Sequence, residues 1–346
     1  MNNTLKACSI IPPYLLQAIV RCGTRGQKEC ALETLVQTEQ LRGMRMAVGL
    51  GFPATRKLSS GKKRSIYDAR HRSLLPGKLV RAEGGAKSKD QSMNEAYDAS
   101  GAYYDFLKNA YKRNSLDTRG FPLVSSVHYG KKYDNAFWSG RQMVYGDGDG
   151  QFFRSFTRSV DVIGHELTHG VVQFEANLDY QGQPGALNES FADVFGSLFK
   201  QYQKHQKAHE ADWLIGGNLF TAKVKGKALR SLKEPGTAYD DPVLGKDPQP
   251  AHMKNYVKTS QDNGGVHINS GIPNKAFYEA AVRIGGYAWG RAGLIWYGAL
   301  KDLLEAQSDF KSAAKATFAA AGRLFGKSGL EQNSVKEAWR IVGIAL

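Results

Sequence analysis

Apolar and polar positions recur along this chain at two different periods, and the places where the period changes divide it. Pro13 to Arg21 and Cys30 to Arg42 carry apolar residues at helical spacing and predict two short helices, separated by a glycine-rich turn at Gly23 to Gly26. From Gly43 to Arg64 the periodicity disappears. Glycines, Pro53 and the basic run Lys62-Lys63-Arg64 predict an exposed linker open to proteolysis. Residues 1–50 therefore read as a separable leader, with the linker continuing to about 64.

Further on, Glu95 to Tyr111 fits a helix, while Leu123 to Tyr129 and Ala136 to Tyr145 show the alternation and aromatic content of strands. Gly146-Asp147-Gly148-Asp149-Gly150 reads as a tight turn, since it lacks the third acidic position and closing glutamate of an EF-hand. After Ser159 the texture is helical: Val160 to Asn177, Ala186 to Lys204, Lys275 to Ile284, Ala292 to Gln307, Phe310 to Phe325 and Ser334 to Ile344. The predicted class is α+β, with a sheet-rich domain over 51–176 and a mainly helical domain over 177–346.

Composition narrows the partners. With 346 residues and 42% hydrophobic content the chain can bury two ordinary cores. Its apolar runs stop well short of the roughly 18 residues that cross a bilayer, so no membrane partner is expected. Met1 to Val20 has one Lys6 and an apolar run broken by Pro12-Pro13, unlike the continuous core of a secretory signal. Synthesis in the cytoplasm is expected, with a non-classical export route if the protein acts outside. The net charge of +15 is scattered and no nucleic-acid motif accompanies it, which argues against nucleic acid; a monomer with protein and peptide partners is expected. Cys8, Cys22 and Cys30 all precede the body of the chain, which therefore cannot depend on disulfides.

Candidate chemistry centres on Asp161 to Gly170, where His165-Glu166-Leu167-Thr168-His169 forms an H-E-x-x-H pattern in a helical stretch. Histidines four apart share one helix face, so their nitrogens can converge on one ion with Glu166 beside them to act on water held there. Alone, the pattern also occurs in an amphipathic helix with two partly exposed histidines. Its surroundings favour the metal: Asn188-Glu189-Ser190-Phe191-Ala192-Asp193 begins another helix and adds two carboxylates one turn apart. A catalytic zinc takes three protein ligands and keeps one open position, and His165, His169 and Glu189 supply such a set. Asp193 is then placed to accept a hydrogen bond from a ligand histidine, His165 foremost, or is a plain helix carboxylate. His205 and His209 also stand four apart, but Gln206 replaces the glutamate and a solvated helix face is expected.

Five ordered motifs now carry a resemblance: Asn135-Ala136-Phe137-Trp138, Gly164 to Val171, Ala186 to Gly196, Ala228-Leu229-Arg230-Ser231, and Gln261 to Gly271. Over most of residues 120–346 the chain resembles the thermolysin, or M4, family of metallopeptidases. The resemblance implies two domains with the active-site cleft between them and Glu166 as general base toward a zinc-bound water. It implies that His267 and Tyr180 donate to the oxyanion, with Asp262 orienting His267. Arg230 and Asn135 would hold the substrate backbone, and Ala136 would lie on the edge strand where a peptide pairs. Taken singly, each of these is more often a loop, core or surface residue. Phe153, Phe156, Val162 and Leu229 match the family's apolar pocket, which implies cleavage on the amino side of bulky hydrophobic residues. They also suit a plain core.

Two departures qualify the resemblance. Of the carboxylates around the family's double calcium site, Asp161 and Asp212 remain, but Lys200, Leu214 and Gly217 replace others. That site is therefore expected to be absent, with the Lys200 ammonium standing in for the cation or pointing to solvent. The leader Ser9-Ile10-Ile11-Pro12-Pro13-Tyr14-Leu15-Leu16 resembles the compact propeptide of the protealysin-type branch. It implies a zymogen whose inhibitory segment, Pro12, Pro13 and Tyr14, with the proline pair locked extended, lies in the substrate cleft until the chain processes itself. Cys8 would place a thiolate on the zinc or remain an unliganded thiol.

Overall fold

The computed structural model describes residues 8–48 and 60–346, the side chains of 41–48 excepted. Six strands form one mixed sheet: β1 (Cys8–Ser9), β2 (Arg64–Asp68), β3 (Lys78–Ala82), β4 (Leu123–Val127), β5 (Ala136–Trp138) and β6 (Met143–Tyr145), in the order β1-β5-β6-β4-β2-β3. β2 and β6 run parallel to β4, and the remaining neighbours are antiparallel. Helices α1 (Pro13–Cys22), α2 (Arg25–Val48), α3 (Gln91–Tyr111) and α4 (Val160–Phe174) accompany the sheet.

Local chemistry moves several boundaries from those the apolar spacing predicts. α3 starts before Glu95 because Asp90 caps it, its Oδ1 accepting from Met93 N–H at 3.0 Å, and a cap lies outside the hydrophobic stripe. The stretch Ala136 to Tyr145 is two strands rather than one. Gly140 takes φ 85° between them, and Ser139 N–H donates to Gln142 O at 2.8 Å. In the leader, Thr24 N–H donates to Gln27 Oε1 at 2.8 Å, so α2 begins at Arg25 and the expected glycine turn shrinks to Gly23-Thr24.

α2 also takes Gly43 to Val48, and Arg64 opens β2, where its Nε bonds Glu83 Oε2 at 2.7 Å and its guanidinium lies 3.7 Å from the Tyr97 ring centre. The expected exposed linker thus narrows to 49–63. Positions 49–59 of it, within the stretch expected to be processed, lie outside the described residues.

The chain divides into two compact units. Unit 1 comprises Met1–Gly170 with Asn218–Lys225 and Asp241–Gly245, so two short segments expected in the second domain belong to the first. Phe220 packs on Phe153 with ring centres 5.8 Å apart, and Arg154 N–H donates to Leu219 O at 2.8 Å. Unit 2 comprises Val171–Gly217, Gly226–Asp240 and Lys246–Leu346. It holds α5 (Gly182–Gln203), α6 (Asp262–Asn269), α7 (Gly271–Ile284), α8 (Arg291–Asp302), α9 (Phe310–Phe325), α10 (Leu330–Ile341) and a ribbon of β7 (Leu214–Ile215) with β8 (Arg230–Ser231). Its core stacks Trp213, Phe277, Trp296 and Trp339, and Trp339 donates to Thr317 Oγ1 at 2.8 Å. Among the described residues no helix is long and apolar enough to cross a membrane.

Candidate active site

In unit 1 the chemistry sits on α4. Thr168 hydrogen-bonds back to Gly164 O at 2.6 Å and to the Tyr103 hydroxyl at 2.7 Å, fixing the helix against α3. One turn of this helix presents His165 and His169, both buried, with their Nε2 atoms 3.1 Å apart. Two ligands of a tetrahedral zinc at ordinary Zn–N lengths lie about 3.3 Å apart, so the pair fits one such ion. Glu166, fully buried beside them, accepts from Trp138 N–H of β5 at 2.7 Å. Burial and then the Glu166 charge push the Tyr145 phenol far above its ordinary value, which keeps it neutral.

The same edge of β5 holds the leader. β1 pairs antiparallel with it, Cys8 facing Trp138 and Ser9 facing Phe137, and Ile10 N–H donates to Ala136 O at 3.1 Å. Asn135 continues the pairing through its side chain, accepting from Ile11 N–H at 2.9 Å and donating to Ile11 O at 3.3 Å. Pro12 is extended but Pro13 is the first residue of α1, where its missing N–H costs nothing. The extended segment is therefore residues 8–12: Pro13 and Tyr14 open the helix expected from Pro13 onward, and of the Pro12-Pro13 pair expected to be extended only Pro12 is. The Thr38 hydroxyl meets the Tyr133 hydroxyl at 2.8 Å, and Thr34 Oγ1 accepts from Asp134 N–H at 3.1 Å. None of the three cysteines forms a disulfide.

In unit 2 the groups converge through α5 and α6, which pack together. Asp262, Asn263, Gly264 and Gly265 all take positive φ, folding the chain back so that Asp262 receives His267 twice: from its backbone N–H at 2.9 Å and at Nδ1 at 2.7 Å. The His267 Nε2 then faces the Tyr180 hydroxyl at 3.3 Å and Glu189 Oε2 at 3.5 Å, and Tyr180 also donates to Glu189. Burial opposes charge on His267, but the Asp262 and Glu189 carboxylates outweigh it and raise its pKa. Asp193, one turn beyond Glu189, receives the Arg230 guanidinium in a two-pronged contact, Nε and Nη2 each at 2.8 Å, and Asn274 Nδ2 at 2.9 Å.

Profile comparison finds the thermolysin metallopeptidase catalytic domain over residues 53–173 and its alpha-helical domain over 176–344. The chain belongs to the thermolysin family of metallopeptidases. It is thus a zinc metalloendopeptidase, and a match to the protealysin propeptide over residues 8–45 makes it a propeptide-bearing precursor. The chain is 49% identical over 340 residues to the extracellular metalloprotease of Pectobacterium carotovorum subsp. carotovorum, covering 97% of this chain and 96% of that protein. Against the thermolysin of Alicyclobacillus acidocaldarius subsp. acidocaldarius the identity is 42% over 288 residues, 80% of this chain and 50% of that protein. The solved precursor of protealysin from Serratia proteamaculans superposes with a TM-score of 0.89 at 51% identity, covering 98% of this chain and all of that one.

For a thermolysin relative, the remaining expected positions fall as follows. Phe153, Phe156, Val162 and Leu229 are fully buried, the two phenylalanines with ring centres 6.0 Å apart. Lys200 bonds Asp212 Oδ1 at 2.7 Å and Leu214 O at 2.6 Å. Burial works against the Asp212 carboxylate, but Lys200 and the Leu214 N–H outweigh it and hold its pKa below the ordinary value. His205 and His209 are exposed and lie beyond the end of α5, in turns rather than on the expected helix face. Sequence reasoning missed the Glu166–Trp138 bond and the Asp193 contacts with Arg230 and Asn274. Nothing local signals them, because the partners are 28, 37 and 81 residues away.

Proposed function

We propose that His165, His169 and Glu189 hold a single catalytic zinc and that the enzyme cleaves peptide bonds on the amino side of bulky hydrophobic residues. The observation that carries this reading is the pair of buried imidazole nitrogens 3.1 Å apart beside a carboxylate tied to β5. Bound zinc supplies Lewis acidity, acidifying water and polarising the scissile carbonyl. Glu166 takes the proton of the attacking water and passes it to the leaving amine. His267 and Tyr180 donate to the developing oxyanion, and Asp262 keeps the His267 Nε2 directed outward by accepting at Nδ1.

The substrate pairs with Ala136 as an added strand, while Asn135 and Arg230 hold its backbone. Phe153, Phe156, Val162 and Leu229 shape the apolar pocket, where burying a leucine-sized side chain contributes on the order of 2 kcal/mol. Asp193 anchors Arg230 and accepts from a ligand histidine, His165 foremost, fixing its tautomer. β1 lies where such a strand would pair, so the propeptide excludes substrate from β5 until it is removed, by the enzyme itself. The protein works outside the cell as a monomer and needs no double calcium site, Lys200 serving Asp212 instead. The relative named as extracellular supports that location.

Replacing Glu166 by Gln in the full chain should lower casein hydrolysis by about 10³-fold with zinc content retained, the scale expected for loss of a general base. Unchanged hydrolysis would overturn the assignment.

A further inference from the structure

A second group of nitrogen and oxygen ligands stands in unit 1, away from α4. β2 and β4 run parallel, and the chain leaving each passes through the left-handed region: Arg70 and His71 with φ 53° and 56° after β2, and His128 with φ 55° after β4. The His71 N–H donates to His128 O at 2.8 Å, so the backbone pegs the two imidazole carriers side by side. Non-glycine residues take this conformation rarely, and two adjacent ones converge on one point. That point is Asp147, in the Gly146 to Gly150 turn. His128 Nδ1 lies 2.9 Å from Asp147 Oδ1, and His71 Nδ1 lies 3.4 Å from Asp147 Oδ2. Ligand atoms of all three residues lie within 4.8 Å of one another.

We propose that His71, His128 and Asp147 form a binding site for one divalent zinc ion, separate from the catalytic metal. The His71 ring is exposed, so an ion can reach the site from solvent. Two imidazoles and one carboxylate suit zinc rather than calcium or magnesium, which prefer all-oxygen cages. Asp90 completes the arrangement. Its Oδ1 caps α3, while its Oδ2 takes the His128 Nε2–H at 3.1 Å, which directs Nδ1 at the site as second carboxylates do for metal-bound histidines.

A proton-held pair explains only part of this geometry. Asp147, then Asp90, raises the His128 pKa to about 9 against the effect of burial, so at neutral pH a proton sits between His128 and Asp147. At 3.4 Å, His71 adds no good hydrogen bond to that pair, yet its nitrogen faces the same carboxylate. An incoming zinc replaces the Nδ1 proton of His128, which leaves to solvent.

The test uses the full chain with its catalytic zinc loaded. Zinc per chain is measured after equilibration with low-micromolar zinc chloride at pH 8, together with the zinc-dependent shift in melting temperature. The parent should carry two zinc ions per chain, and zinc should raise its Tm. His71→Asn, which tolerates the left-handed backbone, and Asp147→Asn should each carry one, bind the second at least tenfold more weakly and lose the Tm response. A parent that stops at one ion, or a second ion retained by both variants, overturns the site.

Discussion

Glu166 of unit 1 and Asp193 of unit 2 are both fully buried carboxylates, and the chain holds them in opposite ways. Glu166 is tied to a neutral backbone N–H, whereas Asp193 is gripped by a guanidinium and an amide. A backbone donor positions a carboxylate without neutralising it, so the group can still take up and release a proton. A two-pronged guanidinium cancels the charge and locks the geometry, which suits an anchor. The difference separates a carboxylate kept for chemistry from one kept for architecture, and burial alone does not tell them apart.

The largest effect on stability is expected at Asp193. Asp193→Ala strands the Arg230 guanidinium in the core and should cost about 3–5 kcal/mol in urea unfolding. A loss under about 1 kcal/mol would show that Asp193 is no anchor. A smaller effect is expected at His128, a cation clamped between Asp90 and Asp147. Its pKa is raised from 6.5 to about 9, so its stabilisation is complete below pH 6.5 and is lost as pH rises through 9. Solvent screening of the partly exposed ring reduces the contribution to about 1 kcal/mol. The stability gap between parent and His128→Asn, measured by urea titration across that range, should close toward pH 10.

Asn135→Ala removes two side-chain bonds to Ile11 and weakens the leader by about 1 kcal/mol, roughly fivefold in its hold. Inhibition of the matured enzyme by an added leader peptide measures this. Smallest of all should be the response to calcium: with Lys200 on Asp212, millimolar calcium should move the melting temperature by less than about 2 °C. A larger rise would reject the replacement of cation by lysine.

Much of this was legible before the fold was known, for reasons that differ by residue. His165 and His169 announce themselves because helical spacing alone makes them neighbours, and Glu189 because it opens the next periodic stretch. His205 and His209 have the same spacing without the helix, which ends at Gln203. β3 went unpredicted because, exposed at four of its five residues, it shows no alternating apolar face, and β1 and β2 because their partners β5 and β4 lie far along the chain. The Asp193–Arg230 anchor is hidden for the same reason. The propeptide's proline pair was visible, but which residues pair with β5 depends on Pro13 entering a helix. The Gly146 to Gly150 turn could be read as a turn, yet the role of Asp147 needs His71 and His128 brought to it by two parallel strands.

Strand β1 and its partner β5 belong to one polypeptide, which gives their pairing a local concentration that no free peptide matches. Joining two partners in one chain can give the second an effective concentration in the millimolar range, so a few backbone bonds and buried isoleucines suffice to keep the edge covered. Once the chain is cut between them, the same contacts must form at whatever concentration the surroundings allow. The severed leader then dissociates as it is diluted, and the enzyme's latency ends where it enters a large volume.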